Sequence, residues 1–325
     1  MRKMYFDEID VCKGIAMLTV LWHHSFILYP IYMLNIPWCQ HAMAINGTYF
    51  MVVFFLVSGY LFAHSRKRSF GANLVNKSRR LLIPFFSYAV VNLGIKLLAP
   101  SLVNREVESI GSYVNNCLFR GGELWFIYVL FIIFILLPPL LQRIERKWIV
   151  AVILLLIAID QALPGGLFND IFLYKRVIHY SIFFTAGYLM KDFNRRWLAD
   201  RWLFVVAALL FMVFDCILVR SIDVPVVGEY AMAAIGCCFV WTASFQLLKL
   251  PHLAQLFKFV GKYSLSYYWL NGFVLVITRT VVVKILHFES SVLIVVSIFL
   301  VCVVLETLAV LCVRKIPYAG KLIGM

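Results

Sequence analysis

Apolar residues run along this chain in long blocks, separated by short polar stretches rich in Lys and Arg. Within a block, apolar and polar positions do not alternate. That excludes the strands of a membrane barrel, whose lipid-facing and lumen-facing side chains take turns. An α-helix rises 1.5 Å per residue, so about 20 apolar residues cross a hydrocarbon core of about 30 Å. The pattern predicts an all-α, polytopic integral membrane protein with ten spans, at 11–33, 47–64, 81–99, 122–141, 148–163, 177–190, 202–219, 229–248, 264–285 and 291–313. The sixth is short. The first block is long and has no small-residue cleavage site after it, so it reads as a span rather than a cleaved leader. The loops leave no room for a second soluble domain, and residues 1–325 are expected to form one membrane-embedded domain.

Charge sets the expected orientation. Lys and Arg concentrate in cytoplasmic loops. With the N-terminus inside, 22 of the 30 basic residues fall on the cytoplasmic side, at 2–13, 66–80, 143–147, 191–201, 249–262 and 314–321. Ten spans then leave both termini in the cytoplasm. The same asymmetry explains the net charge of +14 without invoking nucleic acid. Composition agrees, with 63% hydrophobic and 14% charged residues against about 25% charged in a soluble domain. The eight cysteines form no CxxC pair and no metal-ligand spacing. Cys39 and Cys117 both fall on the expected outer side, where a disulfide is allowed by topology.

Candidate chemistry begins in the first block. Asp10 and Lys13 are three residues apart and pair across one turn at the cytoplasmic edge. A helix start with a snorkelling lysine explains these two equally well. His24 lies eleven residues beyond Lys13, which is about three turns on the same face and about 16 Å along the axis. An ionisable group inside a membrane costs about 2.5–3.5 kcal/mol or more and is a functional candidate by default. The plain alternative for His24 is a satisfied hydrogen bond between helices. His23, about 100° round the helix, reads as packing or support.

Three further groups stand out. Lys77 and Arg80, with Arg79, precede the third span, and such a cluster suits phosphate, since Arg grips it bidentately and Lys adds a point charge. Ser58 and Gly59 sit inside the aromatic run Phe54-Phe55-Leu56-Val57-Ser58-Gly59-Tyr60, where small residues let helices approach closely. Glu123 and Trp125 open the fourth span. An aromatic belt accounts for Trp125, while Glu123 is suited to a sugar hydroxyl or a cation. Asp215, Arg279 and Glu306 also lie within or near spans and need partners or water.

Taken together these segments resemble the membrane-bound acyltransferase 3 family, and within it the fucose 4-O-acetylase-like sugar O-acetyltransferases. The residues that carry the resemblance are Asp10-Val11-Cys12-Lys13-Gly14 followed by His23-His24, with ten residues between the basic Lys13 and His24. Phe54 to Tyr60, Lys77-x-x-Arg80 before Leu81-Leu82-Ile83-Pro84, Leu124-Trp125-Phe126 and Gly261-Lys262-Tyr263-Ser264-Leu265 extend it over nearly the whole chain. One position departs: where family members often carry His, this chain has Asn271, which hydrogen-bonds but is no base at neutral pH.

The resemblance implies transfer of an acyl group, usually acetyl, from cytoplasmic acetyl-CoA to a carbohydrate hydroxyl at the bacterial cytoplasmic membrane, without a metal. Lys77, Arg79 and Arg80 would hold the CoA phosphates, and the pantetheine arm would reach towards His24. Ser58, Glu123, Trp125 and Asn271 are the other expected substrate contacts. His24 would act as general base or as the acyl-accepting nucleophile, with Lys13 and Asp10 beside it. A glycan or lipid transporter is the rival reading, using the buried charges as a path, although no two-fold internal repeat is evident. A non-catalytic acyl-CoA-binding subunit is the third.

Overall fold

A computed structural model describes residues 6–26, 33–65, 69–98, 107–163, 171–193, 195–220 and 226–325. Among them every ordered element is helical. In chain order the helices are α1 (Asp7–His24), α2 (Pro37–Ala63), α3 (Phe70–Lys77), α4 (Ile83–Leu98) and α5 (Ile110–Arg120). They continue with α6 (Trp125–Leu141), α7 (Ile149–Ala162), α8 (Tyr174–Leu189), α9 (Arg195–Leu198) and α10 (Arg201–Arg220). The last five are α11 (Val226–Leu247), α12 (Pro251–Lys262), α13 (Ser264–Arg279), α14 (Ser291–Val313) and α15 (Ala319–Leu322). Two π-helical turns, Ser78–Leu82 and Thr280–Ile285, join α3 to α4 and extend α13.

Each of the ten apolar blocks contains a helix. Six helical stretches among the described residues are long and apolar enough to cross a membrane: Pro37–Ala63, Phe70–Leu98, Ile110–Leu141, Gly228–Leu247, Ser264–Ile285 and Ser291–Val313. Two boundaries differ from expectation. The first block is not one helix, because α1 ends at His24, and residues 27–32 of that block lie outside the described residues. At that end the Leu21 carbonyl accepts from both the Ser25 hydroxyl, at 2.8 Å, and the Ser25 N–H, at 3.1 Å. The second helix begins ten residues early, with Pro37 as its first residue, where proline's missing N–H costs nothing. The helices α3, α5 and α12 lie in stretches read as loops. They are amphipathic rather than uniformly apolar, so a search for apolar blocks passes over them.

The chain divides into two compact units. The first comprises residues 1–54 and 193–313, and the second residues 55–192 and 314–325. In the first unit, Phe26, Met33, Cys39, Val282, Ile294, Val295, Ile298 and Cys302 form a buried cluster. Trp22 and Trp38 meet the Phe26 ring edge-on at 5.1 and 5.5 Å between centroids. The helices α1 and α12 cross at backbone contact. A Cβ on Gly14 would overlap the Phe257 carbonyl, and one on Gly261 would overlap the Asp10 carbonyl. In the second unit, the part of α2 from Phe55 onward crosses α8 in the same way. A Cβ on Gly59 would overlap the Phe184 carbonyl, and one on Gly187 that of Leu56. All eight cysteines are free, including Cys39 and Cys117.

Candidate functional site

In the first unit, α1 opens with three acids, which favour the positive end of the helix dipole. Each has a basic partner. Asp7 meets Lys258 of α12 at 3.2 Å, Glu8 meets Arg195 of α9 at 2.5 Å, and Asp10 meets Lys13 at 2.6 Å within α1. Glu8 and Asp10 are buried. The Asp10–Lys13 pair is thus as the spacing predicts, while the Glu8–Arg195 pair bridges 187 positions and has no local signal.

At the other end of α1, His24 is half-buried, and its Nδ1 lies 2.5 Å from Oδ1 of Asn271 on α13. The Asn271 amide nitrogen donates to Oε1 of Glu306 on α14 at 3.0 Å. In this arrangement the amide NH2 faces Glu306 and the amide oxygen faces the imidazole. An amide oxygen carries no proton, so the hydrogen between His24 and Asn271 sits on Nδ1. The lone pair of His24 is then on Nε2, turned away from Asn271. Asn271 and Glu306 are buried, Glu306 completely. Asn271, expected among the substrate contacts, has both ends of its amide engaged with protein groups. His23 packs its ring against Phe50 at 5.0 Å between centroids.

The second unit holds the other candidates. Lys77 lies over the Phe134 ring, 3.4 Å from its centroid, a cation–π contact. Arg79 and Arg80 are exposed on the π-helical turn that follows. A π turn advances the chain by a smaller rotation per residue than an α turn, so spacing counted on an α-helix fails across it. Lys77 is engaged on an aromatic ring, while Arg80 is exposed. Ser58 is half-buried beside the Gly59 crossing. Glu123 accepts from the Tyr88 hydroxyl at 2.6 Å and from Lys96 at 2.8 Å. Trp125 has the Arg176 guanidinium 3.9 Å from its ring centroid, and it stacks on Tyr180 at 5.7 Å. Tyr180 in turn stacks on Phe55 at 4.2 Å.

Several partners follow a rule that no spacing within one helix reveals. Asp160 of α7 accepts from His179 of α8 at 2.9 Å, and Asp215 of α10 meets His41 of α2 at 2.9 Å. Buried charges are paired or hydrogen-bonded, because a lone one is too costly.

The family model described as an acyltransferase domain, Acyl_transf_3, matches residues 6–311. The chain belongs to the acyltransferase 3 family. No curated protein and no solved structure matches it. The match runs through both compact units, so every candidate above lies within the acyltransferase domain. It makes the chain an acyltransferase, and the six membrane-length helices make it a membrane protein.

The geometry also explains why glycines recur in the acyltransferase's motifs. Gly14 follows Lys13, Gly261 opens the Gly261-Lys262-Tyr263 stretch, and Gly59 lies in Ser58-Gly59-Tyr60. All three sit where two helix backbones touch. Each lets two helices meet at backbone contact. Glu306 is another residue whose partner the sequence did not identify. The signal was present, since Glu306 is the lone charged residue of α14, but its match on another helix was not.

Proposed function

We propose that this membrane acyltransferase moves an acyl group, acetyl in the first instance, from acyl-CoA to a hydroxyl of a cell-surface carbohydrate or its lipid-linked precursor. On this reading it is a fucose 4-O-acetylase-like enzyme of a bacterial cytoplasmic membrane, with ten spans and both termini inside. The observation that supports the reading best is the imidazole of His24, whose Nδ1 lies 2.5 Å from the amide oxygen of Asn271; a ring proton on that nitrogen leaves the lone pair on Nε2.

With that lone pair on Nε2, two routes are open. In the first, Nε2 takes the proton of the acceptor hydroxyl as its oxygen attacks the thioester carbonyl. The carbon–sulfur bond breaks, and the departing thiolate takes the proton from Nε2, leaving an ester and free CoA. In the second, Nε2 attacks the thioester carbonyl and CoA leaves as the thiolate; the acceptor hydroxyl then attacks the acyl-imidazole, the ester forms, Nε2 is freed, and the hydroxyl proton passes to the thiolate. The reacting nitrogen is the same in both. Lys77, Arg79 and Arg80 are the groups suited to the phosphates of CoA, and Ser58, Glu123 and Trp125 remain candidates for the acceptor. Lys13, paired with Asp10, is better suited to orienting than to reacting.

The test is purified protein in nanodiscs with radiolabelled acetyl-CoA and a glycan extract. Free CoA is expected to appear only with both protein and acceptor. His24→Ala is expected to reduce its rate by about 10²–10⁴-fold, the usual worth of a positioned acid–base group, while the protein still inserts. Wild-type turnover by that variant would remove His24 from the chemistry. A transporter of glycan or lipid would leave the thioester intact throughout.

A further inference from the structure

Within the second unit, α4 carries a groove of about 680 Å³, a volume in the range of ligand sites, about 300–1,000 Å³. Ile83, Phe86, Val90 and Val91 line it along the helix, Arg79 lines it on the preceding π-helical turn, and Leu322 lines it from α15. Ile83, Phe86 and Val90 recur at three- and four-residue spacing and so share one helix face. That face is open: all four α4 side chains are exposed, Val90 by 72%. The Ser87 hydroxyl lies 2.5 Å from the Leu322 carbonyl oxygen, which ties the short C-terminal helix to α4. From Ile83 to Val91 the helix rises about 12 Å, close to the hydrocarbon depth of one leaflet, half of about 30 Å.

The lining is almost entirely apolar. That excludes the pantetheine arm of CoA as the occupant, because its amides and hydroxyl would lose water and find no partners. A plain hydrocarbon chain loses nothing there. Arg79 decides what the chain is attached to. It is exposed, and a guanidinium grips phosphate bidentately. Residues 78–91 and 314–325, which supply the groove, hold five basic residues and no acid. The basic residues before α7 differ, since Arg146 and Lys147 pair with Asp192 and Glu145. Positive-inside topology accounts for basic residues at a membrane edge. An arginine at the end of an apolar groove, in a segment with no acid, adds a match to one molecule: hydrocarbon along α4 and negative charge at Arg79.

We propose that this groove binds an anionic phospholipid, one acyl chain lying along α4 against Leu322 and the phosphate at Arg79. A zwitterionic lipid is the poorer fit, because its cationic group meets no acid in these segments. The lipid site stands apart from the function proposed above. One consequence rests on that reading: Arg79 is also among the groups suited to the phosphates of CoA, so lipid and CoA compete for it.

The test uses full-length protein in phosphatidylcholine nanodiscs containing a minor fraction of phosphatidylglycerol with a diazirine on one acyl chain. Crosslinked peptides are mapped by mass spectrometry, and phosphatidylcholine with the same diazirine reports ordinary bilayer contact. The phosphatidylglycerol probe is expected to label residues 82–91 about fivefold more than the phosphatidylcholine probe, the factor that one arginine supplies near an anionic headgroup. Arg79→Gln is expected to remove that excess. Val90→Trp, which fills the groove and leaves Arg79 in place, is expected to lower it. Equal labelling by the two wild-type probes means bilayer contact only and overturns the proposal, with no variant needed. An excess that survives Arg79→Gln, or is untouched by Val90→Trp, overturns it as well. Added CoA is expected to reduce the excess. An excess unchanged by saturating CoA would take Arg79 out of the CoA site and leave the lipid site standing.

Discussion

Each of the two units contains one glycine-on-glycine helix crossing, and the two crossings differ in what surrounds them. In the first unit, Gly14 and Gly261 bring α1 and α12 together. The crossing lies among three acid–base pairs, and its helix α1 ends in His24. In the second, Gly59 and Gly187 bring α2 and α8 together beside an aromatic stack of Phe55, Tyr180 and Trp125. Backbone contact through glycine is the same physical device in both, since small residues are what let membrane helices pack closely. In one unit the device sits on the rod that carries the imidazole, and in the other it sits within ring packing. A packing motif therefore says that two helices meet. What the meeting serves is decided by what else those helices carry.

The comparison is broken most directly by adding a side chain at each crossing. Gly261→Val and Gly59→Val must each push apart two backbones, and overpacking costs about 1–3 kcal/mol or more. Both are expected to lower the thermal midpoint in detergent. The distinction should appear in the milder Gly261→Ala and Gly59→Ala. Among protein that remains folded, Gly261→Ala is expected to lower kcat and Gly59→Ala to leave it nearer wild type. Equal losses of kcat would mean that the first crossing has no special tie to His24.

A second, smaller effect sharpens the contrast in electrostatics. Arg195→Ala leaves the buried Glu8 carboxylate without the guanidinium it meets, and about 1–3 kcal/mol of stability should go with it. Denaturation monitored by tryptophan fluorescence checks this. In the second unit, Lys77→Ala with Arg80→Ala is expected to raise KM for acetyl-CoA about tenfold, worth about 1.4 kcal/mol, with kcat little changed. Arg80→Ala alone should give most of that rise, because Lys77 is engaged over Phe134. If Lys77→Ala alone gives it, the phosphate site lies on the aromatic side. The smallest effect belongs to Lys147→Ala. Its partner Glu145 and Lys147 itself are both about 70% exposed, and surface pairs of this kind contribute little. No change in thermal midpoint is expected.

These outcomes bear on how far residues alone take the argument. The helical segments were legible because an apolar block of membrane length leaves the backbone no alternative to internal hydrogen bonds. Lys13 and His24 were legible as one face of one helix, because both lie in α1 and α-helical spacing holds there. α-Helical counting does not apply between Lys77 and Arg80, where a π turn intervenes. The end of α1 at His24 was missed because the apolar block continues past it, and hydropathy does not mark where a helix stops within a block. Asn271 and Glu306 were each noticed, one as a departure from a family pattern and one as a buried acid. Nothing in either segment pairs them, because their contact depends on how α13 and α14 lie side by side. Amphipathic α12, which packs against α1 and completes the first crossing, was invisible to a search for uniform apolarity.

One consequence of α1 reaches beyond packing. Between Gly14 and His24 the helix is unbroken and free of proline, so over about 15 Å it behaves as a stiff lever with its pivot at the glycine. A tilt of about 4° at the pivot moves the far end by about 1 Å, and a displacement of that size costs about 10²-fold in rate when it spoils the attack geometry. The smallest residue in the chain thus governs the aim of the ring at the other end.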